Sequence, residues 1–204
     1  GDLRSRALKK LLQVRSSLHS HIQTNPDFLE SLAPVFTNPE EPFLKEMEQA
    51  ALAWNTGPMA AVAGAVAQEV GRELLRYTDT VIVENGGDIW ARSQEPLECL
   101  VYPGEASPLS AGIPFTVHAG EGISICTSSG RVGPSFSMGL ADSVTTIHPS
   151  GPMADAAATS LANRIRGAAD VTPVVGSVAA SRKLRGVLVL CGESLGIWGD
   201  IKLR

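Results

Sequence analysis

Aromatic residues are scarce in this chain, at 5% of 204 positions. The core must therefore be built from Ala, Val, Leu and Ile at close backbone approach rather than from stacked rings. Cysteine is nearly as sparse: Cys99, Cys126 and Cys191 are an odd number without metal-ligand spacing. That pattern fits a reducing cytoplasm better than a disulfide scaffold. No apolar run reaches the roughly 18–20 residues that a membrane span needs, and no charged-then-apolar leader opens the sequence. Basic residues do not predominate. The net charge is −4, and no Lys/Arg block interleaves with aromatics, which argues against nucleic acid as a partner.

What is abundant is small and apolar. Hydrophobic residues make up 44%, enough for a substantial core, and 20 glycines and 13 prolines imply many turns. One domain, or one internally duplicated domain, over residues 1–204 is the expectation. Helical periodicity is predicted over residues 4–22, 42–54, 58–77 and 152–166, with short helices at 27–32 and 177–183. Extended runs are predicted at 81–83, 89–91, 97–102, 115–118, 123–127, 143–148, 187–191 and 195–203. Helices and strands cluster rather than alternate strictly, which points to an α+β fold with a largely antiparallel sheet.

Gly-Pro-Met-Ala occurs twice, at 57–60 and 151–154, each time opening a run of small residues. Proline suits a helix start, where its missing N–H is not needed. Gly-Asp-Ile also recurs, at 87–89 and 199–201, which leaves an internal duplication open. In the second Gly-Pro helix Asp155 and Thr159 stand at i and i+4, on one face. Two hard oxygens so placed can ligate Mg²⁺ if backbone carbonyls complete the shell. The plainer account has Asp155 serving the helix dipole in the first turn, with Thr159 bonding back along the helix.

Two further segments could carry chemistry. Glu84, Asn85, Gly86, Gly87 and Asp88 form a turn between two apolar strands, either an ordinary hairpin or a place where backbone N–H groups approach a ligand. Thr127, Ser128, Ser129, Gly130 and Arg131 follow Cys126 and form either a surface loop or a phosphate cradle. His118 and His148 stand at strand ends with no ligand spacing and read as structural.

In this order, the segments beginning at Gly57, Val83, Thr127 and Ala154 resemble an uncharacterised branch of the ApbE superfamily, whose founding members are FAD:protein FMN transferases. The likeness spans residues 8–166 and implies the ApbE-like fold. It implies a divalent cation, usually Mg²⁺, held by Asp155, Thr159 and the carbonyl of Ala63. It also implies that Glu84, Asn85, Gly86, Gly87 and Asp88, with Thr127, Ser128, Ser129, Gly130 and Arg131, line FAD or FMN.

Two departures mark the chain. Gly64 stands where the transferases carry a lysine, and 133–139 offers no H-I-I-D-P-type motif. The family's opening β-hairpin is also expected ahead of Asp2, outside this sequence. The resemblance therefore leads to a cytoplasmic protein that binds a flavin nucleotide, with flavin or phosphoryl transfer implied. The alternative is a non-catalytic accessory protein in sulfide assimilation and homocysteine formation, with a protein partner and with Cys126 as the sulfur-handling residue. A third reading gives the small-residue helix at 60–67 to packing and a homodimer.

Overall fold

Segments with few large side chains pack their backbones closely, and the architecture follows from that. The computed structural model describes residues 2–105, 107–129 and 139–204. Its helices are α1 (Leu3–Thr24), α2 (Asp27–Glu30), α3 (Pro42–Trp54), α4 (Val62–Leu74), α5 (Gly151–Ala162) and α6 (Val171–Ser181). Its strands are β1 (Val81–Asn85), β2 (Asp88–Arg92), β3 (Leu97–Val101), β4 (Ile113–Val117), β5 (Ile123–Ser128), β6 (Ser143–His148), β7 (Gly186–Cys191), β8 (Ser194–Gly199) and β9 (Lys202–Leu203).

Six strands form one sheet in the order β1-β2-β5-β6-β7-β8, and three form another, β3-β4-β9. Every pairing is antiparallel. The helices cover one face of the larger sheet, where Val144, Val187 and Val189 pack with Met47, Leu161 and Ile165. The smaller sheet covers the other face, burying Phe115 and Val117 against Ile123, Ile125 and Leu188. This is the expected α+β arrangement, in three layers.

Three elements differ from the sequence expectation. The predicted helix 58–77 is two pieces, a 3₁₀ turn over Pro58–Ala61 and then α4. Ala61, at φ −115° and ψ 3°, separates them. The predicted strand 195–203 also breaks. Gly199 takes φ 88°, and the chain leaves the larger sheet to pair Lys202 and Leu203 with β4. Finally, α6 begins six residues early, because burial of Val171, Val174 and Val178 overrides the poor helix propensity of β-branched residues.

The crossing of α4 and α5 positions the site. A Cβ on Gly64 would lie 2.4 Å from the Gly151 carbonyl oxygen, and one on Gly151 would lie 2.2 Å from that of Gly64. Backbone touches backbone, and each helix then finishes the start of the other. Gly64 N–H donates to Asp155 Oδ2 at 2.9 Å, and Gly151 N–H donates to Gln68 Oε1 at 2.8 Å. N–H groups in a helix's first turn lack intrahelical partners, so each acceptor caps the opposite helix.

Candidate functional site

Asp155 does not serve its own helix start. Ser150 is the N-cap of α5, and Asp155 lies a turn further in, pointing at the first turn of α4. From β2, Asp88 reaches the same spot. It is the first residue after the Gly86-Gly87 turn, where both glycines have positive φ, 66° and 100°, as a tight two-residue hairpin turn requires. Strand alternation sends Asp88 and Trp90 to the helical face. There the Asp88 carboxyl accepts the Thr127 N–H at 3.0 Å and meets the carboxyl of Asp155.

Two buried carboxyls in contact do not both ionise readily. Burial, opposed by hydrogen bonds from Thr127, Cys126 and Asp155, pushes Asp88 up to about 6. Burial and the neighbouring Asp88 charge raise Asp155 well above the usual carboxylate range, against the opposing N–H groups of Gly64 and Ala63. Cys126, wholly buried in β5, is raised by burial and then by both aspartates, so it stays a thiol.

A cavity of about 370 Å³ opens beside the pair, lined by Ala63, Asp88, Asp155 and Thr159 among others. The residues expected to hold a cation therefore share one cavity, and Asp88 joins them. Asn85 Nδ2 donates to the Ala63 carbonyl at 3.2 Å, beside the hydrogen bond that oxygen accepts within α4. No lysine or arginine is among the described residues lining the cavity. Among the described residues, no three or more His, Cys, Asp and Glu side chains gather as a metal cluster. Any shell here would rest on two carboxylates, the Thr159 hydroxyl and the Ala63 carbonyl. Such an all-oxygen set suits Mg²⁺ rather than a soft metal.

Of the ten residues expected to line a flavin, the eight described ones are not gathered at one place. Asn85, Asp88 and Ser128 face the helices. Glu84, Gly87 and Thr127 line a separate cleft of about 310 Å³ on the opposite face of the sheet, where the Thr127 and Thr145 hydroxyls meet at 2.8 Å. Thr127 serves the aspartates only through its N–H. Gly86 is exposed at the turn, Ser129 is buried just past β5, and Gly130 and Arg131 lie outside the described residues. His148 Nδ1 accepts the Ser150 N–H at 2.9 Å and is structural, as expected.

Sequence reasoning missed the far wall of the cavity. Leu29 and Leu32, from α2 and the loop after it, line it together with Thr56, Met59, Val62 and Asn163. The Asn55-Thr56-Gly57 run was legible only as a helix stop.

A family model described as "AbpE bacteria" matches residues 1–182. A UPF0280 protein of Methanothermobacter thermautotrophicus is 35% identical over 206 residues, 98% of this chain and 80% of the relative. One from Methanoculleus marisnigri is 40% identical over 193 residues, 94% of this chain and 78% of the relative. Among solved structures, the apo flavinyl transferase ApbE of Pseudomonas stutzeri superposes with a TM-score of 0.50 at 15% identity, over 91% of this chain and 72% of that one. The flavin transferase ApbE of Vibrio cholerae gives 0.50 at 14% identity, over 91% and 74%. At such identity the structural likeness establishes the fold. With the family model spanning most of the sequence and the relatives spanning nearly all of it, the chain belongs to the AbpE bacteria family, within the ApbE-like superfamily.

Proposed function

We propose that this protein binds a flavin nucleotide through a divalent cation, held by Asp155, Asp88, Thr159 and the Ala63 carbonyl, and serves flavin or phosphoryl transfer of the ApbE kind. The observation that carries the reading is the Asp88–Asp155 contact, in a cavity without a basic residue among its described lining. Two acids in contact would repel a phosphate directly, and a cation between them and the ligand reverses that sign. When bound, Mg²⁺ supplies charge neutralisation to a nucleotide diphosphate.

The chain's own residues do the positioning. Gly64 N–H fixes Asp155, Thr127 N–H fixes Asp88, and Asn85 orients the Ala63 carbonyl. Gly64 also accounts for the missing family lysine. Any side chain there would collide with the Gly151 backbone, so this chain uses the position to bring two helix starts together.

The sulfur-handling alternative rests on Cys126, whose thiol is buried, held protonated and absent from the cavity lining. Nothing at that position favours it.

The test is titration of FAD with and without Mg²⁺, against wild type and Asp155→Asn. Asparagine can still cap α4, so this variant separates the cation from the fold. Wild type should bind FAD in a Mg²⁺-dependent way and, with water or an acceptor hydroxyl taking the FMN phosphoryl group, release AMP. Asp155→Asn should bind about tenfold or more weakly. Equal affinity and equal metal dependence in the two proteins would refute the site.

A further inference from the structure

Charge is spread unevenly along this chain. Residues 25–48 hold six acids and one base, Lys45, a net −5 where the whole chain carries −4. Two of the six are engaged: Glu46 pairs with Arg72 at 3.2 Å, and Glu48 accepts the Thr37 N–H at 2.6 Å. Asp27, Glu30, Glu40 and Glu41 are exposed, and none of them forms an ion pair among the described residues. Such a band repels itself, and the isolated fold gains nothing from it.

The same stretch exposes large apolar side chains. Leu29 is 50% exposed, Leu32 71% and Phe36 76%, and the two leucines also line the cavity. The backbone that carries them is anchored. A Cβ on Gly57 would lie 1.8 Å from the Ser31 carbonyl oxygen, so the two segments are pressed together there. Val35 packs against the core. Thr37 is tied through its hydroxyl, which donates to Glu48 and meets His21 Nε2 at 2.7 Å. Leu32 and Phe36 therefore stand outward from a segment fixed at 31, 35 and 37. Rigidly presented apolar and aromatic side chains are what a protein interface uses as anchors.

We propose that residues 27–41 form a docking surface for a protein partner whose apolar side chains are flanked by lysine or arginine. Charge complementarity selects this occupant. Leu29, Leu32 and Phe36 supply the contact area, while the four unpaired acids steer a basic segment in and turn acidic ones away. A second copy of this chain, meeting the same patch about a two-fold axis, would bring those acids face to face. The inference goes beyond the flavin–cation reading and does not depend on it. Because Leu29 and Leu32 belong to both surfaces, a seated partner covers part of the cavity rim.

The experiment measures fluorescence anisotropy with three labelled peptides: an amphipathic Leu–Lys peptide, its Leu–Glu counterpart and oligolysine. Wild type should prefer the Leu–Lys peptide, with affinity falling as salt rises. Leu32→Ser with Phe36→Ser should weaken it about tenfold. Glu30→Gln with Glu40→Gln and Glu41→Gln should weaken it too and flatten the salt dependence. The replaced side chains are exposed, so melting temperatures should stay within about 2 °C of wild type. Leu8→Ser with Leu12→Ser, which alters exposed leucines on α1, should bind as wild type does. Asp155→Asn should also bind the peptide normally, so failure of the cation reading leaves this inference standing.

The proposal is overturned if the Leu–Lys peptide does not bind, if oligolysine binds equally well, or if the α1 variant loses as much affinity as the Leu32/Phe36 variant. A dimer in sedimentation that the Leu32/Phe36 variant dissolves would give the surface to a second copy instead. Binding of wild type, but not that variant, to phosphatidylcholine vesicles would give it to lipid. Either result overturns the assignment.

Discussion

Asp88 and Asp155 hold the chemistry of this protein at the scale of single residues, and their contact has a thermodynamic signature. The folded-state pKa of Asp88, about 6, lies above its ordinary 3.8. Below pH 4 both folded and unfolded chains hold the proton, and nothing is lost. Between about pH 4 and 6 the unfolded chain releases it first, so the folded state binds more protons and stability falls as pH rises. Above pH 6 the Asp88 share of the loss is complete, and Asp155, also raised by burial, adds its own. Denaturant unfolding of metal-free protein at pH 4.5 and 7.5 should show this decline in wild type and a smaller one in Asp88→Asn, where the buried Asp155 alone still contributes. A wild type more stable at pH 7.5 would contradict the assignment, and added Mg²⁺ should restore stability chiefly at the higher pH. Half of this pair was legible in the sequence. The i,i+4 spacing places Asp155 and Thr159 on one face without any tertiary information. Asp88 looked like the polar tip of a hairpin, because only the pairing register shows that it begins β2 and points at the helices.

Among the elements, the α4–α5 crossing is the decisive one. Gly64→Ala and Gly151→Ala should each cost about 1–3 kcal/mol, because a methyl group would meet backbone that cannot move aside. Gly64→Lys should fare worse and should lose the FAD turnover of the wild type, as thermal unfolding and AMP release from the variant would reveal. If Gly64→Ala melts within a degree of wild type, the helices are not in contact as described. The repeated Gly-Pro-Met-Ala pointed to the right neighbourhood in the wrong register. Its first copy opens a 3₁₀ turn and its second opens α5, whereas the structural counterparts are Gly64 with Gln68 and Gly151 with Asp155. The two Gly-Asp-Ile segments also differ in setting: Asp88 is buried at the cavity, and Asp200 forms a surface ion pair with Arg185. Strand positions were read well, since short apolar runs between turn residues state their own limits. The break at Gly199 and the early start of α6 were not, because pairing partners and burial decide them.

At the scale of the whole molecule, three layers share one six-stranded sheet, and ligand occupancy of the helical side should register globally. A ligand present at about a hundredfold its Kd adds about 2.7 kcal/mol, or some 5–10 °C in Tm for a chain of this size. Thermal scans with FAD and Mg²⁺ together should show that rise, whereas FAD without the metal should give little; equal shifts would count against a cation-mediated site. The mutual capping of α4 and α5 also has a bearing on synthesis. The N–H of Gly64 waits for an acceptor 91 residues later, and Gln68 waits 83 residues for the N–H it receives. At translation rates of about 5–20 residues per second, the start of α4 stays unfinished for several seconds after it emerges. Nascent chains stalled before α5 should therefore exchange the amides of Ala63 and Gly64 rapidly, and those stalled beyond β7 slowly. The order of synthesis thus dictates when the cavity floor can first exist.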